Sequence, residues 1–206
     1  CEIHNSASMS LDDVLAVTKA SVAEGKTVVR LHTGDPAIYG AIQEQMDALK
    51  EMGITYDVTP GVSSFLATAA ALQQEYTLPN VTQTVIITRM EGRTPMPEKE
   101  KLSMLASHGA TMCIFLSVQM IDKVAAELIE GGYDKTTPVA IVVKASWPDQ
   151  RIIRGTLETI ADVVAEEGVI RQAMIVVSRV LDTDYELSKL YDSSFTTMFR
   201  QGTDKK

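Results

Sequence analysis

Hydrophobic and polar positions follow two different periods along the chain, and the two periods alternate. Between residues 10 and 24, apolar side chains recur at every third or fourth position, which predicts an amphipathic helix. Ser10 is a suitable N-cap, Asp13 completes a capping box and Gly25 follows the end. The same period predicts further helices over residues 38–52, 64–75, 99–107, 120–130 and 158–167.

Short segments rich in β-branched residues separate these helices. They predict strands over residues 27–32, 54–59, 84–90, 111–116, 138–145, 151–157 and 173–181. Alternating helices and strands predict an α/β architecture, with ligands bound beyond the carboxyl ends of strands. A change in composition near Pro79 predicts two lobes, over residues 1–80 and 81–182, and a polar tail over residues 183–206.

Composition and charge exclude several classes of protein. The chain has 206 residues and a net charge of 19 − 27 = −8, which argues against a protein that binds nucleic acid through its phosphates. The apolar runs are strand-sized, which argues against a membrane-spanning protein. The two cysteines, Cys1 and Cys113, form no metal-binding pattern, and we expect no metal site and a reducing cytoplasm. Because the chain begins at Cys1 and not at Met, we expect a fragment or a processed form.

The turn at residues 33–40, Thr-Gly-Asp-Pro-Ala-Ile-Tyr-Gly, follows a predicted strand and opens a predicted helix. In one interpretation it is structural, with Asp35 as N-cap and Pro36 as the first helical residue. In the other, Gly34 lets a ligand approach the backbone and Asp35 accepts hydrogen bonds from a ribose or an amine. The phosphate-loop and dinucleotide-binding patterns are absent, which disfavours nucleoside triphosphates and NAD.

A second turn, at residues 59–64, has the sequence Thr-Pro-Gly-Val-Ser-Ser. Either Ser63 or Ser64 caps the following Ala-rich helix, or the exposed amides and hydroxyls of the turn face the same crevice as Gly34 and Asp35. The nucleophile-elbow pattern is absent, which disfavours a serine nucleophile.

Cationic side chains flank two loops of the second half. They form either a solvated rim or a cationic wall for a polycarboxylate substrate, and the candidates are Arg89, Arg93, Lys144, Arg151 and Arg154. Trp147, the single tryptophan, lies in the second of these loops. It is either an exposed ring platform or a packing anchor.

These motifs together resemble the tetrapyrrole methylase family. The resemblance covers nearly all of the chain, through the stretches HTGDPAIYGAIQEQMDAL, TPGVSSFLATAAAL, LPNVTQTVIITRMEGRTPMPE, IFLS, PVAIVVKASWPDQRIIRGTL, RQAMIVV and SKLYDSSF. It implies two α/β lobes, each a mixed sheet flanked by helices. The family's opening strand and Gly/Pro-rich loop have no counterpart here, so the first lobe is expected to be incomplete at its N-terminus.

The resemblance also implies an activity. It implies S-adenosylmethionine as methyl donor, S-adenosylhomocysteine as product and a tetrapyrrole acceptor. Within the family, the GRTPMPE and ASWPDQ stretches point to methylation at C11 of precorrin-4 or cobalt-precorrin-4 in cobalamin biosynthesis. The resemblance further implies a homodimer. The cofactor contacts that it implies are Gly34, Asp35, Ile38, Ser63, Ser64, Leu116, Ala145 and Ala173.

Other interpretations stay open from the sequence. One is a corrin-ring methyltransferase of different regiochemistry, because pocket shape selects the ring position. A second is a fragment that holds the cofactor without turnover, which the absent first loop favours. A third is a structural α/β protein, which accounts for each motif alone but not for their common order. No residue is identified as the proton acceptor.

Overall fold

The computed structural model describes residues 1–203, so the last three residues of the expected tail lie outside the described part. Two compact units make up the chain, Cys1–Ser64 and Phe65–Lys206. The division falls earlier than the change in composition near Pro79, since Phe65, Ala69 and Leu72 pack with residues of the second unit's sheet. The lobe limits drawn from composition stay a prediction.

The first unit contains two α-helices. They are α1, Leu11–Ala23, and α2, Gln43–Glu51. The predicted capping box is present at α1: the Ser10 hydroxyl accepts a hydrogen bond from the Asp13 N–H at 3.2 Å, and the Asp13 carboxylate accepts one from the Ser10 N–H at 2.9 Å. These bonds satisfy N–H groups that the first helical turn leaves without partners.

Two strand predictions in this unit are wrong. Residues 27–32 and 54–59 belong to no strand, and Val29 and Leu31 are 72% and 80% exposed. β-branched residues favour an extended backbone, but a strand also needs a neighbouring strand for its hydrogen bonds, and the described residues of this unit supply none.

The helix predicted from residue 38 begins only at Gln43. Tyr39 and Ala41 have φ of +55° and +48°, in the left-handed region, which a right-handed helix cannot include. The chain between Asp35 and Gly40 therefore forms turns, and Pro36 is not the first residue of a helix.

The second unit is built on a mixed five-stranded sheet in the order β1-β2-β5-β3-β4. The strands are β1 Val85–Arg89, β2 Thr111–Phe115, β3 Pro138–Val143, β4 Arg151–Thr156 and β5 Ala173–Val177. Strands β1 and β2 are parallel, and β5 is antiparallel to both β2 and β3. Strand β4 lies beyond β3 at the side of the sheet and is antiparallel to it. The ends of β1, β2 and β3 therefore meet the beginnings of β4 and β5 at one edge, named here the carboxyl edge.

Helices cover both faces of this sheet. They are α3 Ser64–Leu72, α4 Leu102–Ala106, α5 Ile121–Glu130 and α6 Ile160–Glu166. Met112, Ile114 and Ile141 face one side and pack with residues of α4, α5 and α6. Their neighbours Cys113 and Ala140 face the other side, where α3 and Tyr76 pack. This alternation of side chains covers both faces and confirms the predicted α/β class.

Most element predictions in this unit are confirmed, with shorter ends. The strand predicted over residues 173–181 ends at Val177, because the Ser178 hydroxyl accepts a hydrogen bond from the Val180 N–H at 3.2 Å and begins a short 3₁₀ turn. The helix predicted over residues 64–75 ends at Leu72, since Gln73 has a φ of +53°. No helix among the described residues is long and apolar enough to cross a membrane.

Candidate functional site

Two loops of the first unit are joined by one carboxylate. Asp35 accepts a hydrogen bond from the Ala37 N–H at 2.8 Å on one oxygen and from the Gly61 N–H at 2.9 Å on the other. Both bonds stabilise the charged form, so they hold the pKa of Asp35 below its usual value, with the Gly61 N–H as the larger cause. Asp35 therefore links the turn at residues 33–40 to the turn at residues 59–64.

Two glycines allow the loops to meet backbone to backbone. A Cβ at Gly61 would lie 2.0 Å from the Gly34 carbonyl oxygen, far inside van der Waals contact. Gly34 itself has a φ of +69° and lies against Ser63 and Ser64, so that a Cβ there would be 3.6 Å from the Ser63 Cα. The close approach therefore requires glycine at position 61, and the left-handed φ favours glycine at position 34.

The loop pair brings together five of the residues that the sequence predicts at the cofactor. Ser63 is buried, Ser64 is half-buried, and the Ile38 N–H donates to the Asp35 carbonyl at 3.3 Å. Gly34, Asp35, Ile38, Ser63 and Ser64 thus form one local cluster. The carboxylate of Asp35 serves to fix the loops, which is a positioning role within this cluster.

The carboxyl edge of the second unit carries a second group of unusual residues. Leu116 follows β2, Lys144 and Ser146 follow β3, and Gln172 precedes β5, and their φ angles are +56°, +50°, +70° and +55°. Left-handed backbone is uncommon for residues with a side chain, and such conformations concentrate at functional sites. Four of them at one edge of one sheet indicate a site at this edge.

Three more of the predicted cofactor residues lie at this edge. Ala173 pairs with Val143 across β5 and β3, and Ala145 lies two residues beyond Val143. The Lys144 N–H donates to the Gln172 carbonyl at 2.8 Å and fixes the end of β3 against the start of β5. Leu116, at the end of β2, is 73% exposed and offers an apolar surface there.

Ser117 is a structural part of this edge that the sequence did not indicate. Its buried hydroxyl accepts a hydrogen bond from the Met90 N–H at 2.8 Å and donates one to the Phe115 carbonyl at 2.6 Å. The two bonds join the ends of β1 and β2, and with them the loop that follows each strand. A serine after an apolar run gave no signal of this role.

The structure separates the five predicted substrate cations into three kinds. Arg89 donates to the carbonyls of Met90, Thr94 and Pro95, at 3.2, 3.3 and 3.1 Å, and so holds the loop after β1 in shape. Lys144 pairs with Asp149, whose pKa the ammonium holds below its usual value, and Arg151 pairs with Glu167 at 2.9 Å. The side chains of Arg93 and Arg154 have no hydrogen bond or ion pair with any residue in the range 1–203.

Arg93 and Arg154 lie on opposite sides of the sheet. Arg93 follows β1 and Arg154 belongs to β4, four strand spacings away, or about 19 Å. A cation between them was not predicted: Arg171 is exposed, its side chain has no partner among the described residues, and it lies two residues before β5, in the middle of the carboxyl edge. Its only sequence signal is its position in front of a buried strand.

Two further features lie away from the two loops of the first unit and from the carboxyl edge. An open cavity of about 540 Å³, lined by residues 81–84, Ile86, Leu105 and residues 108–110, lies where β1 and β2 begin, at the other end of these strands. Cys113 lies in the core, where burial raises the pKa of its thiol to about 12. Residues 1–203 contain no group of three or more His, Cys, Asp or Glu side chains that could hold a metal ion.

Comparison with known proteins gives consistent matches. The family model of tetrapyrrole (corrin/porphyrin) methylases matches residues 2–161. The chain is 57% identical over 205 residues to the cobalt-precorrin-4 C(11)-methyltransferase of Methanocaldococcus jannaschii, covering 99% of this chain and 79% of that protein.

Solved structures agree with these matches. The X-ray structure of a cobalt precorrin-4 methyltransferase matches with a TM-score of 0.86 and 47% identity, over 88% of this chain and 76% of that one. The uroporphyrin-III C-methyltransferase of Thermus thermophilus, in complex with S-adenosylhomocysteine, matches with a TM-score of 0.68 over 82% of this chain and 74% of that one. At 23% identity, this second structure shows the fold alone.

Proposed function

The chain belongs to the tetrapyrrole methylase family, and on that premise we propose that it transfers a methyl group from S-adenosylmethionine to C11 of cobalt-precorrin-4 or precorrin-4 in cobalamin biosynthesis. The observation that carries the proposal is the 57% identity to a cobalt-precorrin-4 C(11)-methyltransferase over 99% of this chain. The same motifs that indicate the family, the turns at residues 33–40 and 59–64 and the carboxyl edge, are intact in this chain.

The residues present fit S-adenosylmethionine in kind. Gly34 and Gly61 are both exposed and carry no side chain, so their backbone is accessible to a polar ligand. Leu116 supplies an exposed apolar surface, and the small side chain of Ala145 leaves space beyond the end of β3. We propose as cofactor contacts Gly34, Asp35, Ile38, Ser63 and Ser64 in the first unit and Leu116, Ala145 and Ala173 in the second.

S-adenosylmethionine supplies an electrophilic methyl group, so the protein needs chiefly to position the acceptor carbon in line with it and to exclude water. The hydrogen bonds of Asp35 hold two loops in one arrangement before any ligand arrives. At the carboxyl edge, Ser117 and the Lys144–Gln172 bond hold three strand ends in the same way. Such preorganised contacts avoid a cost of ordering the site when ligands bind.

The proposed acceptor is a polycarboxylate. The chain's net charge of −8 disfavours binding of such an anion unless cationic side chains lie close together at the site. Arg93, Arg154 and Arg171 are exposed arginines of the second unit whose side chains have no hydrogen bond or ion pair with a described residue, and we propose them for the substrate's carboxylates. Lys144 and Arg151 lie in exposed ion pairs, which are weak and exchange readily for a ligand carboxylate. Arg89 shapes the loop that carries Arg93.

We also propose a cytoplasmic homodimer. Support comes from the exposed aromatic residues of the tail, since Tyr191 and Phe199 are 83% and 93% exposed in the single chain. Several exposed apolar side chains within one short segment are a feature of surfaces that contact another protein.

The experiment that tests the proposed function is a methyl-transfer assay with S-adenosylmethionine labelled with ¹³C in its methyl group. The full-length protein is incubated with precorrin-4 or its cobalt complex, and the position of the label is read by NMR. We expect one labelled methyl at C11. A label at another ring carbon would show a different regiochemistry, and cofactor binding without label transfer would show a protein that binds but does not turn over.

A further inference from the structure

Trp147, the single tryptophan of the chain, projects from the connection between β3 and β4. Its side chain is 56% exposed, although indole is among the larger apolar groups. It has no ring contact with any described residue. The structure therefore favours the exposed-platform interpretation over the packing anchor. One exposed apolar residue is ordinary on a protein surface, so a role for Trp147 needs further support.

That support is the rigidity of the loop. The Gln150 side chain accepts a hydrogen bond from the Ser146 N–H at 2.8 Å, and Lys144 pairs with Asp149 across the loop. The backbone adds two bonds, from the Trp147 N–H to the Lys144 carbonyl at 3.0 Å and from the Gln150 N–H to the Trp147 carbonyl at 3.1 Å. The loop is thus fixed by its own bonds while its largest side chain stays in solvent.

Pro148 restricts the backbone further. Its ring fixes its own φ, and its bulk disfavours helical conformations at the preceding residue, Trp147. On the other side, Lys144 and Ser146 hold left-handed φ angles of +50° and +70°, which cost energy in a residue with a side chain. Strain and rigidity together indicate that this loop presents Trp147 in a defined direction.

The position of the loop connects it to the site. Trp147 lies two residues from Ala145, so their Cα atoms are at most about 7 Å apart. The base of the loop is bonded to Gln172, next to the exposed Arg171. An aromatic face with a cation nearby matches a ligand that has a partly conjugated macrocycle and carboxylates at its rim.

We propose that Trp147 is the platform on which the macrocycle of the tetrapyrrole substrate stacks, and that it determines affinity for that substrate and not for the cofactor. This inference rests on the proposed function, because it takes the substrate class from there. A flat indole held by its loop loses little freedom on binding, so the contact favours large conjugated rings over small polycarboxylates.

The test uses Trp147→Ala and Trp147→Phe in the full-length protein. Met104→Ala is the matched control, because Met104 is 54% exposed on α4 and outside the site. We expect Trp147→Ala to raise KM for the tetrapyrrole about tenfold, within the range of aromatic stacking contacts. We expect Trp147→Phe to restore most of this loss, and the Kd of S-adenosylhomocysteine to stay unchanged in both.

Two outcomes would overturn the proposal. An unchanged KM in Trp147→Ala would show that the ring does not touch the substrate. An equal loss of S-adenosylhomocysteine affinity would assign the ring to the cofactor's adenine instead.

Failure of the proposed function is distinguished by a binding measurement that needs no turnover. Uroporphyrin III, a stable tetrapyrrole carboxylate, is titrated into wild type, Trp147→Ala and Met104→Ala. Weaker binding in Trp147→Ala alone would support the platform even if wild type methylated no precorrin. Equal binding in all three proteins, or binding in none, would contradict it.

Discussion

The carboxylate of Asp35 accepts a hydrogen bond from the backbone N–H of Gly61, 26 residues further along the chain, at 2.9 Å. The second carboxylate oxygen accepts from the Ala37 N–H, so the side chain is shared between two loops. This single side chain therefore determines how the loops that carry five proposed cofactor contacts lie against each other.

Replacing Asp35 with Asn tests that role. Asparagine retains one acceptor oxygen, and its NH₂ group cannot accept from the second N–H. We expect Asp35→Asn to weaken S-adenosylhomocysteine binding about tenfold, because a charge-assisted hydrogen bond between the loops is lost. Asp57→Asn is the control, since it removes the same charge at an exposed position of the same unit. Calorimetry that found equal affinity in both variants would assign no positioning role to Asp35.

The same carboxylate predicts a pH dependence of stability. The pKa of Asp35 lies below the usual 3.8 in the folded protein, because its charged form accepts hydrogen bonds that the unfolded chain does not make. Its contribution is complete above pH 3.8 and is lost as the pH falls through the lower, folded value. We expect the difference in unfolding free energy between wild type and Asp35→Asn to be constant above this pH and to shrink below it. A difference that grew on acidification would contradict this assignment.

Arg93 separates substrate binding from cofactor binding. Its guanidinium has no partner among the described residues, and it lies in the loop that Arg89 holds in shape. We expect Arg93→Ala to raise KM for the tetrapyrrole about tenfold and to leave the Kd of S-adenosylhomocysteine unchanged. Lys123→Ala, on the exposed side of α5, is the control for loss of one positive charge. Loss of cofactor binding in Arg93→Ala would overturn the assignment of this residue.

Thr68 offers a test of the packing of α3. Its side chain is fully buried, and its hydroxyl has no hydrogen-bond partner among the described residues. We expect Thr68→Val, which replaces that hydroxyl by a methyl group of similar size, to raise the free energy of unfolding by about 1 kcal/mol. Thr68→Ser keeps the hydroxyl and loses the methyl, and we expect it to be less stable than wild type. Chemical denaturation measures both, and a destabilised Thr68→Val would mean that the hydroxyl has a partner.

The sequence predicted the second unit better than the first, because the local pattern of the second unit's strands agrees with their place in the sheet. The strand at Thr111–Phe115 is apolar after its first residue, and its first four residues are buried in a sheet, so its local pattern and its environment agree. Val29 has the same β-branched preference, yet it belongs to no strand, because pairing depends on a neighbouring strand that local sequence does not describe. The left-handed backbone at Tyr39 delays the start of α2 to Gln43, and the local sequence does not indicate it.

The site shows the same division between local and distant contacts. The turn at Gly34 and Asp35 was predicted from a tight local motif, but the bond from Asp35 to Gly61 joins two segments that only the fold brings together. Arg89 was predicted as a substrate cation because sequence shows a charge and not the three carbonyls that surround it. Arg171 was not predicted, because its place at the centre of the carboxyl edge follows from the strand order, which the local sequence does not show.

The most direct test of the central claim is a calorimetric titration of S-adenosylhomocysteine into the full-length protein and into Ala145→Phe. Ala145 lies just beyond β3, and a phenyl ring there would occupy the space proposed for the cofactor. We predict one binding site per chain in wild type and a loss of affinity of at least about 100-fold in Ala145→Phe, since overpacking a formed site is strongly unfavourable. Equal affinity in both proteins would contradict the placement of the cofactor at the carboxyl edge, and absence of binding to wild type would contradict the methyltransferase function itself.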